Sequence, residues 1–136
     1  MSPVSLLTAS GIPPGQVSSA LGGLDLDQVD VRPAGRLLTT LWGNTVSAMT
    51  LGTRIYLKPD LPDSDPTRLG PLIVHELVHV RQWADLGMLR FLWRYISGYL
   101  TGRFTGLSHP EAYRAIPIEI EARELSARLE GPFGPV

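Results

Sequence analysis

The chain has 136 residues, 43% of them hydrophobic, which suits one domain around one core and excludes wholesale disorder. Twelve Lys and Arg against 13 Asp and Glu leave a net charge of −1, which gives no support for a nucleic-acid or anionic-lipid partner. There is no cysteine, so disulfides and thiolate metal sites are excluded and any zinc falls to histidine and carboxylate.

Residues 1–24, with Pro3, Pro13, Pro14 and several Gly and Ser, read as a flexible arm with one helical turn around 16–21. The apolar piece 4–9 is too brief for a signal-peptide core and has no charged flank, so the expected location is cytoplasmic. Asp25, Asp27 and Asp30 alternate with Leu26, Val29 and Val31, which predicts a short strand ending at Pro33. Residues 36–42 fit helix and strand equally. Segments 45–49 and 54–57 are rich in β-favouring residues, with a hairpin turn at Leu51-Gly52 between them.

Residues 59–71 read as a loop that leads into a helix, with Pro71 in the first turn, where its missing N–H costs nothing. That helix is expected to run to about Asp85, with Gly87 at its left-handed cap. A second helix over 88–100 is apolar on most faces but falls short of the roughly 20 apolar residues of a bilayer span. Residues 102–110 are Gly-rich and turn-prone. The last helix runs from Pro117 to about Glu130, with Ile118, Ala122, Leu125 and Leu129 as its apolar stripe. The whole, residues 1–136, reads as a single α+β domain: a short antiparallel sheet packed on one helix, followed by two further helices.

The chemistry is concentrated in His75-Glu76-Leu77-Val78-His79. Histidines at i and i+4 share one helical face, so both imidazoles can reach one metal ion. Glu76 lies about 100° round the helix, within reach of a metal-bound water but not itself a ligand. The neighbours Leu72, Ile73, Val74, Leu77, Val78 and Val80 imply a mostly buried helix, in which polar groups are costly unless something satisfies them. A zinc site needs a third protein ligand and one open position. Glu119, Glu121 and His109 are the candidates, with Glu119 favoured because it shares a side with the small residues Ala115, Ala122 and Ser126. Glu121 points about 160° away from Glu119. Glu124 reads as solvated.

Gln82 is close enough to His79 to hydrogen-bond near the site, although packing or solvent is the plainer reading. Tyr95 and Tyr99 follow the apolar spacing and read as core. Arg81, Arg90, Arg94 and Arg103 with Phe91 and Trp93 could form a basic aromatic face, against the simpler reading of arginines snorkelling from an amphipathic helix. Asp60, Asp63 and Asp65 lack the spacing of a calcium loop.

With His75-Glu-Leu-Val-His79 followed by Glu119-Ile-Glu-Ala122, and with Gly52-Thr-Arg-Ile-Tyr-Leu57 before them, the chain resembles the gluzincins, and within them the minimal minigluzincin-like bacterial metallopeptidase domains. The resemblance covers about residues 48–126. It implies a zincin-like fold, zinc held by His75, His79 and Glu119, Glu76 as general base, and a sheet edge that binds an extended peptide. It also implies an oxyanion donor, for which Tyr113 and His109 are best placed. The family pattern has an acidic residue where this chain has Arg123. The expected function is zinc-dependent peptide hydrolysis, by an endopeptidase rather than an exopeptidase. The alternative is a non-catalytic zinc-containing binding or assembly module with a vestigial site.

Overall fold

The computed structural model describes residues 2–36, 40, 47–58 and 66–130. The acidic run 60–65, the tail 131–136 and most of the ambiguous stretch 36–42 lie outside them. Among the described residues the fold is α+β, with helices around a three-stranded mixed sheet.

The N-terminal segment is not a loose arm. It forms α1 (Pro3–Ala9) and α2 (Pro14–Ala20). Each has proline in its first turn, where the missing N–H is harmless, and Ser2 caps α1 by accepting from Ser5 N–H at 3.1 Å. Leu7, Val17 and Leu21 are fully buried in the main core, so these prolines start helices rather than mark a linker. A single 3-10 turn (Leu26–Gln28) leads into β1 (Asp30–Pro33).

β2 (Ala48–Leu51) and β3 (Arg54–Leu57) form the expected hairpin, its first strand reaching two residues past the expected end at 49, while residues 45 and 46 lie outside the described residues. β1 then pairs with β3 in parallel, so the sheet is mixed rather than antiparallel, in the order β1-β3-β2. The reason is topological: β1 returns to β3 by a long connection, and only neighbours joined by a tight turn must run antiparallel. The central strand buries Ile55 and Leu57 against the helices. β2 is the edge.

The long helix α3 (Pro66–Phe104) begins before the expected start, so Pro71 lies inside it rather than in its first turn. α1 packs directly on its beginning: a Cβ on Gly70 would meet Ser10 Cβ at 2.3 Å, so only glycine admits this approach. At Gly87 (φ 78°, ψ 164°) the helix breaks into two limbs, at the residue whose lack of a side chain permits that conformation. The first limb, through Leu86, carries Ile73, Val74, Leu77 and Val78 into the core.

The second limb is followed by α4 (His109–Arg114) and α5 (Pro117–Glu130). α4 occupies what reads in sequence as a turn. Ser108 accepts from Glu111 N–H, and the Glu111 carboxylate accepts from Ser108 N–H, which closes a capping box. α5 buries Ile118, Ala122 and Leu129, most of its expected stripe, against the rest. A smaller cluster of Phe91, Ile116 and Ile118, with Trp83, Tyr95 and Tyr113 around it, joins the second limb to α4 and α5 beside the motif.

Candidate metal centre

The first limb of α3 turns His75 and His79 to one side, with ring centroids 4.9 Å apart and rings nearly perpendicular. α5, packed across them, delivers a single carboxylate to both. Glu119 Oε2 lies 3.1 Å from His75 Nε2, and Glu119 Oε1 lies 3.1 Å from His79 Nε2. Glu119 and His79 are almost fully buried, while the His75 side chain keeps 19% of its surface exposed. Ala122 and Ser126, buried one and two turns on, keep this face of α5 narrow enough for the approach.

Glu76 sits beside this trio. It is buried, and its Oε2 accepts a 2.6 Å hydrogen bond from Thr50 Oγ1 of β2. Ligand atoms of His75, Glu76 and His79 all lie within 4.8 Å of one another, a cluster that could hold a metal ion.

The electrostatics match a site built for positive charge. Burial pushes the Glu76 carboxyl above its usual range, only partly offset by His79, Thr50 and His75. Burial also works against ionisation of Glu119, but hydrogen bonds from both histidines outweigh it and hold that carboxyl well below the carboxylate range. His79 is desolvated too, yet the hydrogen bond to Glu119 and the nearby carboxylates raise it above an ordinary imidazole. Two carboxyl groups and two imidazoles share one largely buried site. A divalent cation satisfies such a set better than protons can. Two histidines and a glutamate are also a donor set that suits zinc. The residues therefore fit a metal.

A further layer of contacts aims these groups. Gln82, one turn after His79, accepts from His79 Nδ1 at 2.7 Å. Its amide nitrogen donates to Ile118 O and to Glu121 Oε1, both at 3.2 Å, which fixes the orientation of the amide. His79 thus presents Nε2 to the site. Tyr95 donates its hydroxyl to Glu119 Oε1 at 3.1 Å. Tyr113 lines the same pocket, its ring 6.4 Å from Tyr95. Burial, with the negative charge of Glu119 beside them, pushes both phenols up and keeps them protonated.

The edge strand forms one wall. Lys58 N–H donates to Ser47 O, so the ladder to β3 uses the odd-numbered residues, and Ala48 and Thr50 turn their backbone groups outward. The outward Thr50 carbonyl already accepts from Trp83 Nε1 at 3.2 Å. Trp83 in turn stacks on Phe91, centroids 4.3 Å apart.

Of the candidates read from sequence, His75, Glu76, His79, Glu119 and Tyr113 come together. Glu121 is exposed and holds Gln82 instead of approaching the histidines. His109 is exposed and pairs with Tyr99 hydroxyl at 2.7 Å, away from the trio. Arg123 donates to Arg114 O and so ties α5 to α4. In sequence, Gln82 is able to hydrogen-bond near the site but reads more plainly as packing or solvent, Tyr95 reads as core, and Thr50 is not singled out. The signal for Gln82 was its i+3 spacing from His79. Thr50 and Tyr95 had no local signal, because their roles come from contacts across 26 and 24 positions.

A family model described as the eCIS core domain matches residues 16–86, just over half of the chain. The match contains both histidines and Glu76 and ends one residue before the break at Gly87. No curated protein and no solved structure matches the chain.

Proposed function

The chain belongs to the eCIS core domain family, a zincin-like group associated with extracellular contractile injection systems, and from that premise we propose that it is a zinc-dependent peptidase of gluzincin type. One observation carries the reading: Glu119 reaches both Nε2 atoms at 3.1 Å, while Glu76, held on Thr50, stands beside the trio instead of within it. In this reading His75, His79 and Glu119 hold the ion. Glu76 is kept out of the ligand set because Thr50 already engages its Oε2. Zinc, when bound there, supplies Lewis acidity and lowers the pKa of its water toward about 7.

The chain's own residues do the rest. Glu76, with its proton affinity raised by burial, takes a proton from the nucleophile and passes it to the leaving amine. Thr50 Oγ1 holds that carboxylate in position. Tyr113, kept protonated in the pocket, donates to the oxygen that gains negative charge. The outward groups of Ala48 offer an extended peptide a place to pair with the edge strand. Among the described residues lining the pocket, the charged ones are Glu76, His79 and Glu119, all engaged with one another or with Thr50. No separate charge is left there to capture a peptide terminus, which favours an endopeptidase.

Purified protein is expected to bind one zinc ion and to cleave peptides in a chelator-sensitive manner, with Glu76→Gln abolishing cleavage while zinc is retained. Zinc-loaded protein that cleaves nothing in a broad peptide library would instead support the second reading, a non-catalytic zinc-containing module. One observation favours that reading: the Trp83 indole occupies the Thr50 carbonyl, an acceptor that a strand-adding substrate would otherwise use.

A further inference from the structure

The second limb of α3 does not bury its apolar face. Leu89 is 78% exposed, Trp93 72%, Phe104 86%, and Met88, Ile96 and Leu100 are also exposed. On a helical wheel these residues fall within one arc of about 160°. The packed side of the limb lies elsewhere, where Phe91 and Tyr95 face the metal centre and Gly98 and Gly102 abut Pro117 and Ala112. Exposed Arg90 and Arg94 run along the edge of the apolar arc on the side of Trp93, and Arg103, in the last turn of the limb, falls within the arc. Between Asp85 and Glu111 the chain has no acidic residue. Glu121 of α5 borders the same groove as Arg94 but gives an oxygen to Gln82.

We propose that this limb is a docking face for an anionic lipid surface, lying in the plane of the interface. Three features select that occupant. The face is the convex side of one helix about 25 Å long, and a bilayer interface accepts a convex cylinder without needing a complementary groove. Along its border the charged side chains of the limb are Arg90 and Arg94, both cationic, with the neutral Ser97 and Thr101 beside them, which complements anionic headgroups. Its most exposed members include Trp93 and Phe104, and Trp93 sits at the boundary between apolar arc and arginines, where an indole suits the headgroup level. Insertion is shallow. Among the described residues no helix is long and apolar enough to cross a membrane. Leu92 belongs to the edge of this face and also lines the pocket of the metal centre, so docking brings the pocket mouth close to the lipid.

The full chain should cosediment with vesicles of phosphatidylcholine and phosphatidylserine, and not with phosphatidylcholine alone, and binding should weaken as salt rises. Arg90→Glu with Arg94→Glu should weaken binding at least about twentyfold, at about fivefold or more per arginine. Trp93→Ala with Leu89→Ala should weaken it about tenfold or more. All four positions are exposed, so unchanged circular dichroism checks the fold. Absence of cosedimentation with either vesicle overturns the proposal, as does equal binding to both or indifference to the arginine reversals. A concentration-dependent dimer that Trp93→Ala dissolves also overturns it and assigns the face to a second copy of the chain.

Discussion

The two limbs of α3 are consecutive stretches of the same helix, yet they solve opposite problems. The first places apolar residues and ionisable residues together in the interior, with Ile73, Val74 and Leu77 fully buried and Glu76 and His79 nearly so. The second carries a comparable apolar content on its surface, with Leu89, Trp93 and Phe104 largely exposed. Interior charge is tolerable in the first limb because Glu119, Thr50, Gln82 and Tyr95 converge on it. Exposed apolar surface in the second has no such internal answer, and contiguous patches of this kind mark interaction sites. Hydrophobicity alone does not locate a residue. What packs against it does.

The largest expected effect tests the first limb. Leu77→Ala, at a fully buried position within the motif itself, should cost about 3 kcal/mol in urea denaturation. A loss below about 1 kcal/mol would mean that this limb is not the centre of the core. Next comes the contact layer around the candidate metal centre. Gln82→Leu removes the acceptor on His79 Nδ1 and should lower zinc affinity about 10- to 100-fold, measured by competition with a chelating dye. Unchanged affinity would show that α5 alone orients His79.

The junction between the limbs comes third. Gly87→Ala places a side chain at φ 78° and ψ 164°, where no steric clash with neighbours arises but the backbone itself is strained. It should cost about 1–2 kcal/mol. A neutral or stabilising result would mean that the two limbs can straighten into one helix. The smallest effect belongs to the second limb. Leu89→Ala should leave the urea midpoint within about 0.5 kcal/mol of the parent, because the side chain is 78% exposed. A core-sized loss there would show that the apolar face is covered in solution and would remove the contrast between the limbs.

Much of the fold was legible because its signals are local. The break at Gly87, the start of α5 at Pro117 and the extent of β3 follow from glycine, proline and periodicity. The helical turn expected around 16–21 is met by α2, but the rest of the segment misled, because prolines that start helices look like those of a loose arm until their helices are seen to bury Leu7 and Val17. α4 was missed although Ser108 and Glu111 spell a capping box, since the glycines before it suggested a turn. Tyr95 was assigned to the core by a spacing that was correct, but its hydroxyl reaches Glu119, which periodicity does not record.

By itself, the sequence determined that two imidazoles share a helical face beside a carboxyl group, because a helix repeats every 3.6 residues whatever surrounds it. It also determined that cysteine plays no part, and that the chain must break near residue 87. Only the tertiary structure decided which of Glu119, Glu121 and His109 lies against the histidines, because each is on a chain path that could reach them and packing alone selects which one arrives. It likewise decided that the apolar limb after Gly87 stays outside, since the pattern of a buried helix and that of an exposed docking helix are the same until the neighbouring elements are in place.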